Sequence, residues 1–264
     1  VLIETGHAKT AKAYIIYRQK RAEIRAEKAH VLEKEEIDEV DKKFDVNALR
    51  VLKARYLRKN ELGHLAETPK QLFTRVAVHT ALPDMFYDET VFDITGSQAH
   101  HHAEKFEPEV YEGEIAVGKY ILNRYHLEAV KMMYDRFNRN GNMKVSWSTF
   151  LDMLKDGFFG KYEKTVDEFY DIMTRKQFMP NTPAIANFGN VLGMGSACFV
   201  LGVEDNLTSI MDTLKATALI HQAGGGTGFN FSDLRPEGDI VKSTSGAASG
   251  PISFMTLYDN MTDV

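Results

Sequence analysis

The stretch ACFVLGVEDNLTSIMDTLKATALIHQAGGGTGFNFSDLR, residues 197–235, decides the fold. A short apolar run predicts a strand, and the amphipathic segment NLTSIMDTLKATALIHQA after it predicts a helix that ends at three glycines. GFNFSDLR is a second strand candidate, and GAASGPISFMTLYDNM predicts another helix with a start signal at Pro251. Strand, helix, strand and helix in succession are typical of an α/β domain with parallel strands.

Cys198 stands in the first of these strands and is the only cysteine of the chain. One cysteine excludes an intrachain disulfide framework, which fits a reducing, cytosolic compartment. Taken alone, the residue has two interpretations that stay open. It is either a small buried hydrophobic side chain or one half of a redox pair whose other half lies elsewhere.

The glycine run, Gly224 to Gly226, follows a helix and precedes a strand, which is the reverse of a dinucleotide-binding fingerprint. It predicts a helix C-cap and tight turn, or a place where the backbone approaches a ligand closely. Thr182 precedes a proline, which favours an extended backbone with the hydroxyl presented from a loop. The small-residue loop STSGAASGP, 243–251, suits an anion at the start of the following helix.

Upstream of residue 178 the pattern is helical. Residues 5–43 predict a helix with few breaks and Thr5 as its N-cap, and 46–82 predict two helices. Thr68 followed by Pro69 is a strong start signal for the second of those two. Residues 83–113 are irregular and polar, and 114–178 predict further helices. The composition becomes rich in Pro, Gly and Asn after 178, so we place a domain boundary between 160 and 178.

Composition narrows the class of protein. With 44% hydrophobic and 26% charged residues the chain is an ordinary globular protein, and a net charge of −5 argues against a nucleic-acid surface covering the molecule. No apolar run approaches the ~20 residues that span a bilayer. Six Lys/Arg between Lys9 and Arg25 indicate a solvated helix or a basic face near a phosphate. The histidines 100–102 are adjacent and cannot all face one metal, so we predict no metal site.

Three segments in this order, PNTPAIANFGN–GSACFVL, ALIHQAGGGTGFNFSDLRPEGD and KSTSGAASGPISFM, resemble the large catalytic subunit of ribonucleotide reductases. The adenosylcobalamin-dependent (class II) form is the most similar. GHAKTAKAYIIYRQKRAEIR resembles the last helix of the ATP-cone that often precedes that subunit, and LRVLKARYLRKNELGHLAETPKQLFTRVA resembles its N-terminal helical region. The similarity is specific over 178–264 and slight over 83–160.

The resemblance implies an α/β fold in which an N-terminal all-α region is followed by the first part of a ten-stranded α/β barrel. Residues 1–25 would be the C-terminal helix of an ATP-cone, 26–165 the N-terminal helical domain, and 166–264 the first part of the catalytic barrel. The chain begins at Val1 and stops at DNMTDV within a predicted helix, so we expect it to be a fragment.

The resemblance also implies the site. Cys198 matches the first cysteine of a redox pair, with its partner expected beyond Val264; two thiols deliver the two electrons that removal of the 2′-hydroxyl consumes. The substrate-contacting residues would be Thr182, Ala197, Cys198 and Gly226, with Ala197 contacting through its backbone. The residues of a separate effector site would be Asp205, Asn206, Leu207, Arg235, Lys242 and Ser243, in which Arg and Lys meet phosphate and Asp205 accepts from ribose or caps the helix.

The expected activity is reduction of a ribonucleoside di- or triphosphate by thiyl-radical chemistry. Adenosylcobalamin would be the cofactor, dNTP or ATP the effector, and a thioredoxin-like protein the reductant, in a cytoplasmic homodimer without membrane or direct nucleic-acid contacts. Two alternatives are a class I large subunit that needs a separate radical-generating subunit, and a non-catalytic nucleotide-binding module. We expect the 264-residue chain alone to be inactive, because it lacks the radical cysteine.

Overall fold

The computed structural model describes residues 7–241 and 245–263. Thr5, Lys242 and Ser243, to which the sequence assigns roles, lie outside the described residues. The chain forms two compact units. The first extends to Pro180 and includes Phe188–Val191, and the second comprises Asn181–Asn187 and the chain from Leu192 onward.

The first unit is mainly helical. Its helices are α1 (Ala8–Val31), α2 (Glu39–Lys43), α3 (Val46–Arg55), α4 (Pro69–Phe86), α5 (Arg124–Arg139), α6 (Trp147–Lys155) and α7 (Glu163–Thr174). Two 3-10 turns, Pro108–Tyr111 and Phe158–Tyr162, and a short antiparallel hairpin of β1 (Ala116–Val117) and β2 (Tyr120–Ile121) complete it.

Helix α4 is the centre of this unit and begins where the sequence predicts. The Thr68 hydroxyl accepts from the Gln71 N–H at 3.2 Å, and the Gln71 side chain accepts from the Thr68 N–H at 2.8 Å, which closes a capping box ahead of Pro69. The buried residues of α4 lie on several of its sides, so it packs against neighbours all round. Aromatic side chains fill the space beside it, with the Phe86 and Phe150 rings stacked 4.8 Å apart.

The predicted helix over 5–43 is interrupted. It ends at Val31, Glu33 adopts φ 55°, and Asp38 caps the separate helix α2 by accepting from two N–H groups. The buried Lys28 ammonium donates to the Asp41 and Lys42 carbonyls, which holds the reversed chain against α1. The helical pattern predicted over 114–178 also begins later, because Gly118 at φ 58° turns a hairpin and α5 begins only at Arg124.

A buried polar network fixes residues 188 and 189 within the first unit. The Arg75 guanidinium donates to both Glu67 carboxylate oxygens, at 2.8 and 3.1 Å, and to the Phe188 carbonyl. The His79 Nδ1 accepts from the Gly189 N–H at 3.1 Å. Gly189 has φ 64°, and a side chain there would collide with His126 and Arg75. Only glycine therefore fits at this point.

The second unit is a β-α-β arrangement with a further helix. Its elements are α8 (Thr182–Asn187), β3 (Cys198–Gly202), α9 (Leu207–Gln222), β4 (Gly226–Asn230), the antiparallel pair β5 (Ile240–Val241) and β6 (Gly246–Ala247), and α10 (Pro251–Thr262). Strands β3 and β4 are parallel and joined through α9, as the sequence predicts. Val203, Ile210, Leu234 and Tyr258 form the small core between them and α10.

The division after Pro180 lies later than the predicted domain boundary at 165/166. The predicted boundary falls inside α7 (Glu163–Thr174), and this helix packs against α4 and so belongs to the helical unit. The assignment of residues 1–25 to an ATP-cone stays a prediction. Within the described residues no helix is both long enough and apolar enough to cross a membrane.

Candidate functional site

Three of the predicted substrate residues lie together at the start of the parallel strand pair. Cys198 is exposed, is the first residue of β3, and is the register partner of Gly226, the first residue of β4. The Gly226 N–H donates to the Ala197 carbonyl at 2.7 Å. The structure thus places the thiol beside a glycine backbone. The Ala197 carbonyl already accepts this hydrogen bond between the two strands.

The glycine run has two glycines that the fold requires and one that it does not. Gly224 has φ 84°, and a side chain at Gly225 would lie 2.7 Å from Ile220 and 3.0 Å from Phe199. At Gly226 the nearest atom to an added Cβ is the Ala197 carbonyl oxygen at 3.7 Å, which is an ordinary contact. Gly226 is exposed and has no side chain, so its backbone is accessible next to Cys198.

Thr182 is placed differently from the prediction. It is exposed but is the first residue of helix α8 rather than part of an extended loop. The asparagines that flank or end this helix bind the turn before Cys198. Asn181 donates to the Gly195 carbonyl at 2.9 Å, and Asn187 donates to the Met194 carbonyl at 3.1 Å. The proline after Thr182 does not prevent the helix because α8 begins at Thr182 itself.

A cavity of about 520 Å³ brings together the described members of the predicted effector set. Its lining includes Asp205, Asn206, Leu207 and Arg235, together with Val241, the segment 247–250 and Phe254. The Arg235 Nε donates to the Asp205 carboxylate at 2.7 Å. Asn206, and not Asp205, caps α9 by accepting from the Ser209 N–H at 2.8 Å. Of the two roles predicted for Asp205, capping the helix is therefore wrong, since its carboxylate is paired with Arg235, and accepting from ribose stays a prediction.

Part of the cavity lining lies outside the predicted effector set. Ala247, Ala248, Ser249 and Gly250 line it from the segment before α10, and Phe254 from the first turn of that helix. The signal in the sequence was the small-residue loop 243–251 ahead of Pro251, because small residues leave room and the helix N-terminus supplies free N–H groups. The starts of α9 and α10 thus both face the cavity, which suits an anionic ligand of nucleotide size.

In the described part of the chain, no three His, Cys, Asp or Glu side chains lie close enough together to hold a metal ion. The three adjacent histidines differ in the exposure of their side chains. His101 is half-buried, and its ring contacts the Met143 carbonyl at 3.1 Å, while His100 and His102 are exposed.

Comparison with known proteins agrees with this architecture. The family model of the ribonucleotide reductase all-alpha domain matches residues 42–193, and that of the ribonucleotide reductase barrel domain matches 196–264. The vitamin B12-dependent ribonucleoside-diphosphate reductase of Thermoplasma acidophilum is 41% identical over 256 residues, which are 96% of this chain and 30% of that protein. The Mycobacterium tuberculosis protein of the same description is 31% identical over 99% of the chain and 27% of its own length.

The chain therefore spans less than a third of the length of these two curated relatives. The ribonucleoside-diphosphate reductase large subunit of variola virus is 35% identical over 94 residues, 35% of this chain. Among solved structures, the class Id ribonucleotide reductase alpha subunit of Actinobacillus ureae matches with a TM-score of 0.34 and 33% identity over 39% of this chain and 19% of that one. The two family models together cover most of the chain, which thus belongs to the ribonucleotide reductase family and carries its all-alpha domain and the start of its barrel domain.

Proposed function

We propose that this chain is part of an adenosylcobalamin-dependent ribonucleotide reductase that converts ribonucleoside diphosphates, or triphosphates, to deoxyribonucleotides. The observation that carries the proposal is the juxtaposition of the exposed Cys198 thiol with the open backbone of Gly226. A reducing thiol must reach the sugar, and a glycine beside it lets a ligand come close to the main chain. Ala197, and Thr182 on α8, would complete the substrate contacts.

The proposed reaction uses two thiols as its reductant, and Cys198 would be one of them. Replacement of the 2′-hydroxyl by hydrogen releases water and consumes two electrons, which two thiols supply when they form a disulfide. Cys198 is the only cysteine of the chain, so the second thiol and the cysteine that carries the radical must come from sequence outside it. A thioredoxin-like protein would then reduce the disulfide for the next turnover. The reaction needs a reducing compartment, which the cytoplasm provides.

Adenosylcobalamin would supply the radical by homolysis of its cobalt–carbon bond. The cavity of about 520 Å³ described above is not lined by Cys198. What this chain contributes is the Cys198 thiol and the backbone beside it.

The extent of the sequence matches favours the cobalamin-dependent form over class I. The two vitamin B12-dependent relatives match 96% and 99% of the chain, including the helical unit, whereas the variola virus large subunit matches 35% of it. The discriminating test is turnover by a reductase polypeptide that contains this segment. Activity with adenosylcobalamin alone is the expected result, and a requirement for a second radical-generating protein would support class I instead.

The cavity of Asp205, Asn206, Leu207 and Arg235 is proposed as the site of a deoxynucleoside triphosphate or ATP effector, with Lys242 and Ser243 as further members of the set. Its volume of about 520 Å³ is that of a small-molecule pocket. Arg235 provides charge for phosphate, and the starts of α9 and α10 provide N–H groups. Assembly as a homodimer belongs to the same proposal.

The decisive variant is Cys198→Ser. In a reductase polypeptide that contains this segment we expect it to abolish multi-turnover deoxynucleotide formation, because a hydroxyl cannot form the disulfide. Chromatographic counting of deoxynucleotide per enzyme measures this. Sustained turnover by Cys198→Ser would exclude the proposed role of the thiol. Ribonucleotide and effector binding without any reduction by the unmodified polypeptide would instead favour the non-catalytic module.

A further inference from the structure

Asn187 ends helix α8 and is almost fully buried, with 6% of its surface exposed. Its side-chain Nδ2 donates two hydrogen bonds, to the Met194 carbonyl at 3.1 Å and to the Ala223 carbonyl at 2.9 Å. Both neighbours are acceptors, so only the amide NH2 group can satisfy them, and this fixes the orientation of the side chain. One buried amide therefore joins two separate segments of the second unit.

The two carbonyls belong to the turns that precede the two halves of the proposed substrate site. Met194 lies four positions before Cys198, between Gly193 and Gly195, and Ala223 directly precedes the glycine run. Glycine-rich turns have few side chains to fix them and lose much conformational freedom when they order. The hydrogen bonds from Asn187 therefore add fixed contacts to both turns.

The pairing of β3 with β4 connects these two turns to Cys198 and Gly226, the residues proposed to meet the substrate. Cys198 and Gly226 are register partners, and the Gly226 N–H bonds to the Ala197 carbonyl at 2.7 Å. On the side of the glycine run, the His221 ring contacts the Thr227 hydroxyl at 2.9 Å. The strand starts are thus held by the sheet, while the turns that lead into them are held by Asn187.

We propose that Asn187 is a positioning residue of the reductase, which fixes the Cys198 turn and the glycine run in one arrangement so that the thiol and the open Gly226 backbone face the same ligand. This inference rests on the proposed function for its consequence in turnover. The link that Asn187 makes between the two turns does not depend on the proposed function. Asn187 touches no reacting atom and acts through the two carbonyls that it binds.

Asn181 provides a matched control at the other end of α8. Its Nδ2 donates to the Gly195 carbonyl at 2.9 Å, and its Oδ1 accepts from the Ala184 N–H at 2.9 Å. It therefore binds the same turn before Cys198 but does not bond to Ala223. Replacement of either asparagine by aspartate removes the NH2 group at nearly constant shape and adds the same charge, at a buried position for Asn187 and at an exposed one for Asn181.

The structural test is amide hydrogen exchange of the full chain, followed by mass spectrometry. In Asn187→Asp we expect exchange over 223–227 and at the start of β3 to rise at least about tenfold, because the two carbonyls lose their shared donor and the turns open locally. In Asn181→Asp exchange over 223–227 stays as in the unmodified chain. Exchange in α4 stays unchanged in both variants.

The functional test is turnover by a reductase polypeptide that contains this segment. We expect Asn187→Asp to lower kcat at least about tenfold with a smaller change in KM, because misplacement of the thiol affects the reaction more than ground-state binding. Effector affinity stays unchanged, since the cavity of Arg235 does not include Asn187. Asn181→Asp retains most of kcat.

Several results would overturn the inference. They are unchanged exchange over 223–227 in Asn187→Asp, an equal rise in Asn181→Asp or in α4, and unchanged kcat despite loosened turns. If the unmodified polypeptide reduces no ribonucleotide, the proposed function fails while the exchange result still decides the structural tie. Should Asn187→Asp not fold, NMR of the unmodified chain serves instead. Both Asn187 side-chain amide protons should then exchange slowly, and fast exchange refutes the tie.

Discussion

At the scale of single residues, the ion pair of Arg235 and Asp205 combines a short contact with considerable exposure. The Nε–Oδ2 distance is 2.7 Å, yet the two side chains are 31% and 36% exposed. An ion pair at such a position stabilises a fold by only about 0–1 kcal/mol. Arg235 is thus free to exchange its carboxylate partner for a phosphate at little cost in folding stability.

Arg235→Ala should therefore weaken effector binding without unfolding the chain. We expect the dissociation constant of a deoxynucleoside triphosphate to rise roughly tenfold or more, since hydrogen bonds to charged groups contribute about 1.5–3 kcal/mol. Isothermal titration calorimetry measures the constant. Arg175→Ala is the control, because Arg175 forms a comparable exposed pair with Asp171 in the helical unit. Equal affinities in both variants would remove Arg235 from the effector site.

At the scale of elements, helices α4 and α5 enclose two histidines that are held neutral. Burial lowers the pKa of His79 to about 4 and the pKa of His126 to about 3. His126 uses both ring nitrogens, since Nε2 bonds the Arg75 carbonyl at 3.0 Å and Nδ1 accepts from the Asn123 N–H at 3.2 Å. Arg75 adds a positive charge close to both rings, which further disfavours protonation.

These histidines should make the helical unit sensitive to acid. Their pKa values are lower in the folded chain than the unfolded value of about 6.5, so the unfolded state binds more protons as the pH falls. The stabilisation is complete above about pH 6.5 and declines towards pH 4 and 3, by about 2 kcal/mol per histidine at pH 5. The unfolding free energy in urea, followed by Trp147 fluorescence at pH 7 and 5, measures it.

Two variants isolate the effect. His79→Gln should lose about 2 kcal/mol less between pH 7 and 5 than the unmodified chain, because the carboxylates titrate equally in both. His102→Gln, at an exposed position, should behave like the unmodified chain. An identical pH dependence of His79→Gln and the unmodified chain would show that His79 is protonated in the folded state.

The elements show which parts of the fold are encoded locally. The start of helix α4 was predicted to the residue because its capping box lies in four consecutive residues, whereas its end lies at Phe86 and not at the predicted residue 82. The break after α1 was missed because it depends on Lys28 binding carbonyls of α2, a contact between distant positions. The hairpin at Gly118 was missed because its two-residue strands carry too short an alternation to detect.

The residues of the candidate site also differ in whether the sequence predicts them. Cys198, Gly226 and the members of the effector set came from resemblance to a family, and the structure places the described members in two groups. Asn187 was not predicted as a site residue, because its two acceptors lie in turns on either side of α9. No local pattern distinguishes such an asparagine from one that caps a helix.

At the scale of the whole molecule, the two units have cores of different size. The helical unit buries large side chains that include Trp147, Tyr134, Phe73 and Phe86. The second unit has a core cluster of four buried residues and partly buried side chains around it. Local stability follows the amount of buried apolar contact, so the units should not be equally stable.

We expect the second unit to lose hydrogen-exchange protection at a lower urea concentration than the first. Addition of a deoxynucleoside triphosphate at about 100 times its dissociation constant should raise the stability of the second unit by about 2.7 kcal/mol and leave α4 unchanged. Peptide-resolved exchange in urea with and without the nucleotide measures both. Simultaneous loss of protection in β3 and α4 would mean that the chain unfolds as one cooperative body.

The pair of strands β3 and β4 has a practical consequence for work with the isolated chain. Among the described residues each strand pairs only with the other, and Val200 in β3 is 88% exposed. Unpaired strand edges beside apolar side chains are templates for intermolecular β-sheet growth. Concentrated preparations should therefore self-associate and precipitate, and a lysine at position 200 would serve as a gatekeeper that keeps purified material in solution.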